Sequence, residues 1–233
     1  MDKINSKEEQ KYVCDWGPND EDVILDSDPE FSKYVNRKSK AKHYIKKFYD
    51  NHKFRYSLEY ELNKNGKKDI AVILMNPSYA DEQHLDNTLY NVKTFLENID
   101  KKKEFNKFIV LNLFPIRTPN SENLISRMKN YKNQQIINDE KIAEILDSVQ
   151  DVIVAWGKDY HFLATQKVWF KKLKNANKYA YGINDDGSPK HFSPYAYKYK
   201  KEDLKNKKLE NYCVDFKKPL CQFFVEKKFC CRH

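Results

Sequence analysis

Residues 69–80 read DIAVILMNPSYA, a short apolar run that stops abruptly at Asn76-Pro77-Ser78. The stretch from Ile70 to Met75 is apolar throughout. It is too short for a membrane span and suits a strand buried on both faces. In an open α/β sheet ligands bind just outside the carboxyl ends of the strands, so a polar Asn-Pro-Ser at that end is where chemistry is expected.

Working outward, Phe54, Tyr56, Leu58, Tyr60 and Leu62 alternate with Arg55, Ser57, Glu59 and Glu61. That is strand periodicity, and Asn65-Gly66 then supplies a tight turn, predicting a hairpin into the opening stretch. Farther upstream, Phe31, Tyr34, Val35, Ala41, Tyr44, Ile45 and Phe48 recur at helical spacing behind Asp28-Pro29. Asp28 suits the N-cap and Pro29 the first helical position, which predicts a helix with a basic outer face. Residues 1–27 are polar and read as an arm. The expected organisation is an arm and basic helix over residues 1–50, packed on an α/β domain over residues 51–233, in a single globular unit.

Downstream, Leu85, Leu89, Val92, Leu96 and Ile99 form a helical stripe. A second buried strand over 108–113 runs into another polar, proline-containing exit, Asn112, Phe114, Pro115, Arg117, Thr118, Pro119. Helical patterns fill 122–149 with an interruption expected near Asn138-Asp139. A third apolar run over 151–155 closes on Trp156-Gly157, and a helix carrying Phe162, Leu163, Gln166, Trp169, Phe170 and Leu173 follows. A fourth strand is expected over 179–181, and a turn-rich loop over 184–190 then delivers His191-Phe192-Ser193-Pro194-Tyr195. Strands alternating with helices predict a three-layer α/β/α sandwich with a mainly parallel central sheet. The tail, at 212–216 and 221–225, is expected to add an edge hairpin.

The 233 residues allow one substantial core. Aromatics make up 14% of the chain, and Lys and Arg outnumber Asp and Glu by 43 to 34, a net charge of +9. A basic, tyrosine-rich surface fits nucleic acid, because cations displace phosphate counterions and exposed rings stack on bases. Biased composition alone gives the same balance. The N-terminus, MDKINSKEEQ, lacks an apolar signal core, and no stretch reaches the length of a membrane helix. A soluble, cytoplasmic monomer is therefore expected. Cys14, Cys213, Cys221, Cys230 and Cys231 do not form a secreted disulfide framework, and the absence of a Cys-x-x-Cys pair argues against a zinc or iron-sulfur site. No metal or cofactor is expected.

Three strand exits thus carry polar groups: Asn76 with Ser78, Asn112 with Arg117, and the His191 loop. An amide orients a water or reads a base edge with paired donor and acceptor, and a histidine hydrogen-bonds to a departing anion. Taken singly, each has an ordinary structural role: an asparagine at a strand end caps a turn, and a histidine packs. Asp81 and Asp86, in the loop after Ser78, are candidate carboxylates, with helix N-capping as the competing role.

The pattern Arg55…ILMNPS…Asp86-Asn87-Thr88…VLNLFPIRTP…Asn138-Asp139…AWG…GSPKH is similar to the bacterial and phage family catalogued as domain of unknown function 1643, over about residues 54–200. At longer range the order of motifs resembles the uracil-DNA glycosylase superfamily. That resemblance implies a three-layer fold in which Asn76 positions the attacking water. Asn112 reads the flipped base, with Phe114 and Ser78 beside it, and Asp81 or Asp86 assists the water. His191 meets the leaving base, Tyr195 wedges into the stack, and Ser193, Arg117, Lys190 and Lys198 hold the DNA. Leu74 stands in place of that motif's glycine and Phe192 in place of its proline, which turns the expectation from plain uracil toward a modified base. The implied activity is hydrolysis of an N-glycosidic bond in double-stranded DNA, leaving an abasic site, with antiphage defence as the cell role. The alternatives are a non-catalytic reader of modified bases or nucleotides, and an enzyme acting on free nucleotides or RNA bases.

Overall fold

In a computed structural model the described residues are 44–50, 53–78, 80, 85–122, 124–193 and 208–212, with backbone alone for 44–50. They build a seven-stranded sheet in the order β1-β2-β4-β3-β5-β6-β7. The strands are β1 (Tyr44–Asp50), β2 (Phe54–Glu61), β3 (Lys68–Leu74), β4 (Phe105–Asn112), β5 (Asp151–Val154), β6 (Asn177–Ala180) and β7 (Glu210–Asn211). The stretch that decides the fold is β3, at the centre. It pairs in parallel with β4 on one side and β5 on the other, and β6 continues in parallel beyond β5. The β1–β2, β2–β4 and β6–β7 pairings are antiparallel, so a parallel centre carries antiparallel flanks.

Alternation along the central strands divides the core in two. Ala71, Ile73, Ile109, Leu111, Val152 and Val154 face one layer, and Ile70, Val72, Phe108, Val110 and Ile153 face the other. The first layer is covered by α2 (Leu124–Met128), α3 (Lys132–Ser148), α4 (His161–Gln166) and a 3-10 helix (Val168–Asn175) through residues such as Ile142, Trp169 and Leu173. The second is covered by α1 (Asn87–Ile99), whose Leu89, Val92, Phe95 and Leu96 are essentially inaccessible. Each such side chain contributes about 1.5–3 kcal/mol through burial. Helices therefore cover both faces of the sheet.

Four expectations from sequence are corrected. Tyr44–Asp50 is an edge strand paired with β2, not the end of a helix, so the boundary expected after residue 50 falls between two hydrogen-bonded strands. Tyr44, Ile45 and Phe48 satisfy helical spacing, but cross-strand pairing of Tyr44 with Tyr60, Lys47 with Leu58 and Phe48 with Ser57 decides the conformation. No β2–β3 hairpin forms, because β4 lies between the two strands. The turn at Asn63–Gly66 instead crosses the start of β4, where a Cβ on Gly66 would sit 2.3 Å from Asn106 N and 2.4 Å from the Phe105 carbonyl carbon. Gly66→Ala should therefore destabilise the protein by about 1–3 kcal/mol, read as a lower urea midpoint; an unchanged midpoint would mean that the loop yields freely. The helical break lies at 129–131, and α3 runs straight through Asn138-Asp139. The helix after Gly157 divides at Lys167 into α4 and the 3-10 helix. Of the expected tail hairpin, only the short β7 falls within the described residues.

Candidate functional site

Because β4, β3, β5 and β6 are parallel, their carboxyl ends share one edge. Asn112 is the last residue of β4, Asn76 follows β3 by two residues, and Gly157 follows β5 by three. The connection leaving β3 goes to the α1 face, whereas those leaving β4 and β5 go to the opposite face. The chain thus parts at β3, and a crevice at such a topological switch point is where α/β sheets bind ligands.

Past their ends the strands stay zipped. Leu113 and Phe114 donate from their backbone N–H groups to Leu74 O and Met75 O at 3.0 Å, and Thr118 N donates to Pro77 O at 2.9 Å. Asn76 Nδ2 donates to Thr118 O at 2.7 Å and to Pro77 O at 2.9 Å. These two bonds fix the carboxamide with its oxygen as the remaining polar atom. Leu74, which stands where the resembled motif has glycine, closes β3 with its side chain in the α1 layer.

Asn112 is fully buried, and among the described residues neither its Nδ2 nor its Oδ1 has a hydrogen-bond partner. Orphaned buried amide atoms cost about 1–3 kcal/mol each and are rare enough to mark a functional position. Its backbone carbonyl, in contrast, accepts from Asn138 Nδ2 at 2.9 Å.

The His191 loop is held at the same edge. A Cβ on Gly157, whose φ of +83° requires glycine, would lie 3.5 Å from His191 Cβ. Tyr181 donates its hydroxyl to His191 O at 2.6 Å, and Asn91 Nδ2 donates to Phe192 O at 2.9 Å. Phe192 is buried between Tyr181 and Phe95, with centroids at 4.3 and 5.5 Å. The residue that replaces a proline in the resembled motif is therefore the loop's anchor. Behind it, Ser188 donates its N–H and hydroxyl to Asp186 at 3.1 and 2.5 Å. Desolvation raises the Asp186 carboxyl, but these bonds, with Lys158 and His161, hold it below its usual value.

Ser193 N donates to His191 Nδ1 at 3.0 Å. Nδ1 is therefore unprotonated, and burial lowers the imidazole to about 4. At neutral pH the ring is uncharged and carries its proton on Nε2, a donor. His161, near Trp156, is likewise lowered by desolvation, with Asp186 opposing.

The other expected site residues lie in varied surroundings. Arg117 is fully buried, and its backbone N–H donates to Lys53 O at 2.9 Å. Asp86 caps α1, accepting from Leu89 N at 2.9 Å, so the structural role claims one carboxylate oxygen. Phe114 is buried against Tyr160 in an edge-on pair at 5.0 Å, in the layer opposite α1. Ser78, Lys190 and Ser193 are partly buried. Asp81, Tyr195 and Lys198 lie outside the described residues, as do all five cysteines. Among the described residues no group of His, Cys, Asp or Glu is arranged to hold a metal, and no helix is long and apolar enough to cross a membrane.

Three polar groups at this edge escape a reading by periodicity. Arg55, almost fully buried, donates Nη1 to Ala80 O at 2.8 Å. Alternation assigns it to solvent, but the β1–β2 register skips Tyr56, pairing Phe48 with Ser57 and Tyr49 with Arg55. This bulge lets the strand change faces. Asn91 and Asn138 occupy buried helical positions where an apolar residue belongs, and that misfit is the signal that finds them.

A family model described as Protein of unknown function (DUF1643) matches residues 55–192, more than half of the chain. The match begins at the buried Arg55 and ends at the Phe192 anchor. Neither the curated proteins nor the solved structures contain a match.

Proposed function

We propose that this chain, which belongs to the DUF1643 family, is a DNA glycosylase-like hydrolase that extrudes a modified base and hydrolyses its N-glycosidic bond, leaving an abasic site. The observation that carries the reading is the fully buried, unpartnered Asn112 amide on the strand-end edge that also holds Asn76 and His191. The sheet with helices on both faces is compatible with the uracil-DNA glycosylase-like sandwich, which belongs to the same proposal.

Each group has a task in that reaction. Asn112 offers a donor and an acceptor to the edge of a flipped base, recovering on binding the hydrogen bonds it lacks in the free protein. Asn76, with its amide nitrogen committed to two carbonyls, turns its oxygen to accept from a water and hold it for attack at the sugar carbon. His191 donates from Nε2 to the base as it departs with the bonding electrons, stabilising negative charge without itself becoming an acid in the working pH range. The water's oxygen bonds to the sugar carbon, its proton passes to solvent, and the base is released. The net charge of +9 supplies non-specific attraction to the DNA backbone. Antiphage defence through excision of modified phage bases is the cell role we attach to this activity.

Incubation with duplexes carrying different modified pyrimidines should give alkali-labile abasic sites on a subset of them. Intact, folded protein that releases no base from any duplex sinks the proposal. A second reading, a non-catalytic reader of modified bases, is favoured by the amide at position 76 and by the capping role of Asp86. It predicts salt-dependent, modification-dependent binding without product. Action on free nucleotides or RNA bases predicts a retained nucleotide and no DNA affinity at low salt.

A further inference from the structure

We propose that Asn138, from the middle of α3, is a positioning residue that fixes the β4 exit and with it the Asn112 amide. The inference rests on the reading of Asn112 as the base-binding group.

Asn138 is fully buried on a helix whose other buried residues are Ile142, Ile145 and Leu146. An amide at such a position carries a desolvation cost that leucine would avoid. Its Nδ2 donates to Asn112 O at 2.9 Å and, more distantly, to Leu113 O at 3.4 Å. One helical turn earlier, Gln135 Nε2 donates to the same Leu113 carbonyl at 3.0 Å and to Asp139 Oδ1 at 3.1 Å. Asp139 in turn accepts from Trp169 Nε1 and Lys167 Nζ, each at 3.0 Å. Two consecutive carbonyls, at the point where β4 stops, are thus held by one helix, and that helix is tied to the 3-10 helix behind it.

The Leu113 N–H is engaged by Leu74 O at 3.0 Å, so the peptide plane joining Asn112 to Leu113 is pinned at its carbonyl oxygen and its amide. The Asn112 side chain springs from the α-carbon beside that plane. Since its own amide atoms have no partner among the described residues, the backbone clamp is what orients it before a ligand arrives. A site pre-organised in this way avoids ordering the amide during binding.

The test uses the full-length protein and Asn138→Leu, which keeps the branching and heavy-atom count of the side chain and removes the donor. Side-chain amide NMR of wild type should give one narrow, resolved pair of signals for Asn112. In Asn138→Leu these should broaden or split, while signals from α1 stay in place. Base release should fall about 10- to 100-fold in kcat with KM for DNA within about twofold, as for a lost orienting contact. Combined with Asn112→Leu, the Asn138 substitution should add nothing.

A mobile Asn112 amide in wild type overturns the proposal even if the variants fail to fold. So does an unchanged Asn112 signal in Asn138→Leu, or an additive loss of release in the double variant. An Asn112 signal that responds as expected in a protein that releases no base would instead leave the positioning role standing and remove the glycosylase reading.

Discussion

Asn112→Leu should make the protein more stable and unable to release a base. Leucine has the branching and heavy-atom count of asparagine and carries no polar atom, so the substitution removes a buried donor and a buried acceptor that have no partner among the described residues. The two atoms together cost a few kcal/mol by the usual penalties, and water that reaches them lowers that figure. The expected gain is ~1–3 kcal/mol, or a Tm higher by roughly 2–4 °C per kcal/mol for a chain of this size. The surroundings already suit an apolar group: Leu74 pairs directly with Asn112, and Val110 and Phe192 belong to the same core layer as Leu74. Release should fall by at least ~10³-fold, because a pocket built to pair a base edge loses both hydrogen bonds at once. Binding to unmodified DNA should keep its affinity and salt dependence, since a fully buried residue contributes nothing to phosphate contacts. Thermal melts and abasic-site assays on one preparation decide the matter. A lower Tm would mean that Asn112 serves the fold through partners of its own, and retained release would mean that the base is read elsewhere.

The same physical distinction explains what is legible in the sequence. The central strand and its polar exit stand out because a strand buried on both faces has no alternation to misread, and proline ends it sharply. Asn76 and Asn112 follow as strand-end residues, and His191 from its place after a turn-rich loop. What escapes such reading depends on pairing between distant segments. The bulge that turns Arg55 inward is set by β1, and β1 itself is obscured because three apolar residues of Tyr44–Asp50 also fit a helix. Arg117 resembles a surface cation in sequence, yet it is fully buried, with its backbone N–H bonded to the distant Lys53 O. Asn138-Asp139 resembles a helix break on propensity alone. In the fold these residues bind Asn112 O and Trp169 Nε1, and those bonds offset the local preference.

His191 should contribute to stability and to chemistry through different nitrogens, and the two effects separate by substitution. Nδ1 accepts from Ser193 N, whereas Nε2 carries the proton. The folded protein holds the imidazole at about 4, below the ordinary 6.5, so the unfolded chain binds the proton more readily. The stabilisation from keeping the ring neutral is therefore complete above the unfolded value. It is lost as pH falls from about 6.5 through 4, amounting to ~3 kcal/mol over that window. The amide introduced by His191→Asn places an acceptor where Nδ1 was and does not titrate, so the Tm of that variant should fall less than that of wild type between pH 7 and 4. The same variant lacks the Nε2 donor, and its base release should drop by ~10²–10³-fold, the usual loss when one donor to a developing anion is removed. His191→Gln extends an amide toward the Nε2 position and should retain more release than His191→Asn, at the expense of the Ser193 contact. Wild-type release should show no inflection near pH 6.5 and an acid limb only as pH approaches 4. An inflection near neutrality assigned to His191, or equal release from the two amide variants, would remove the histidine from the reaction and leave it as the residue that closes the loop over Gly157.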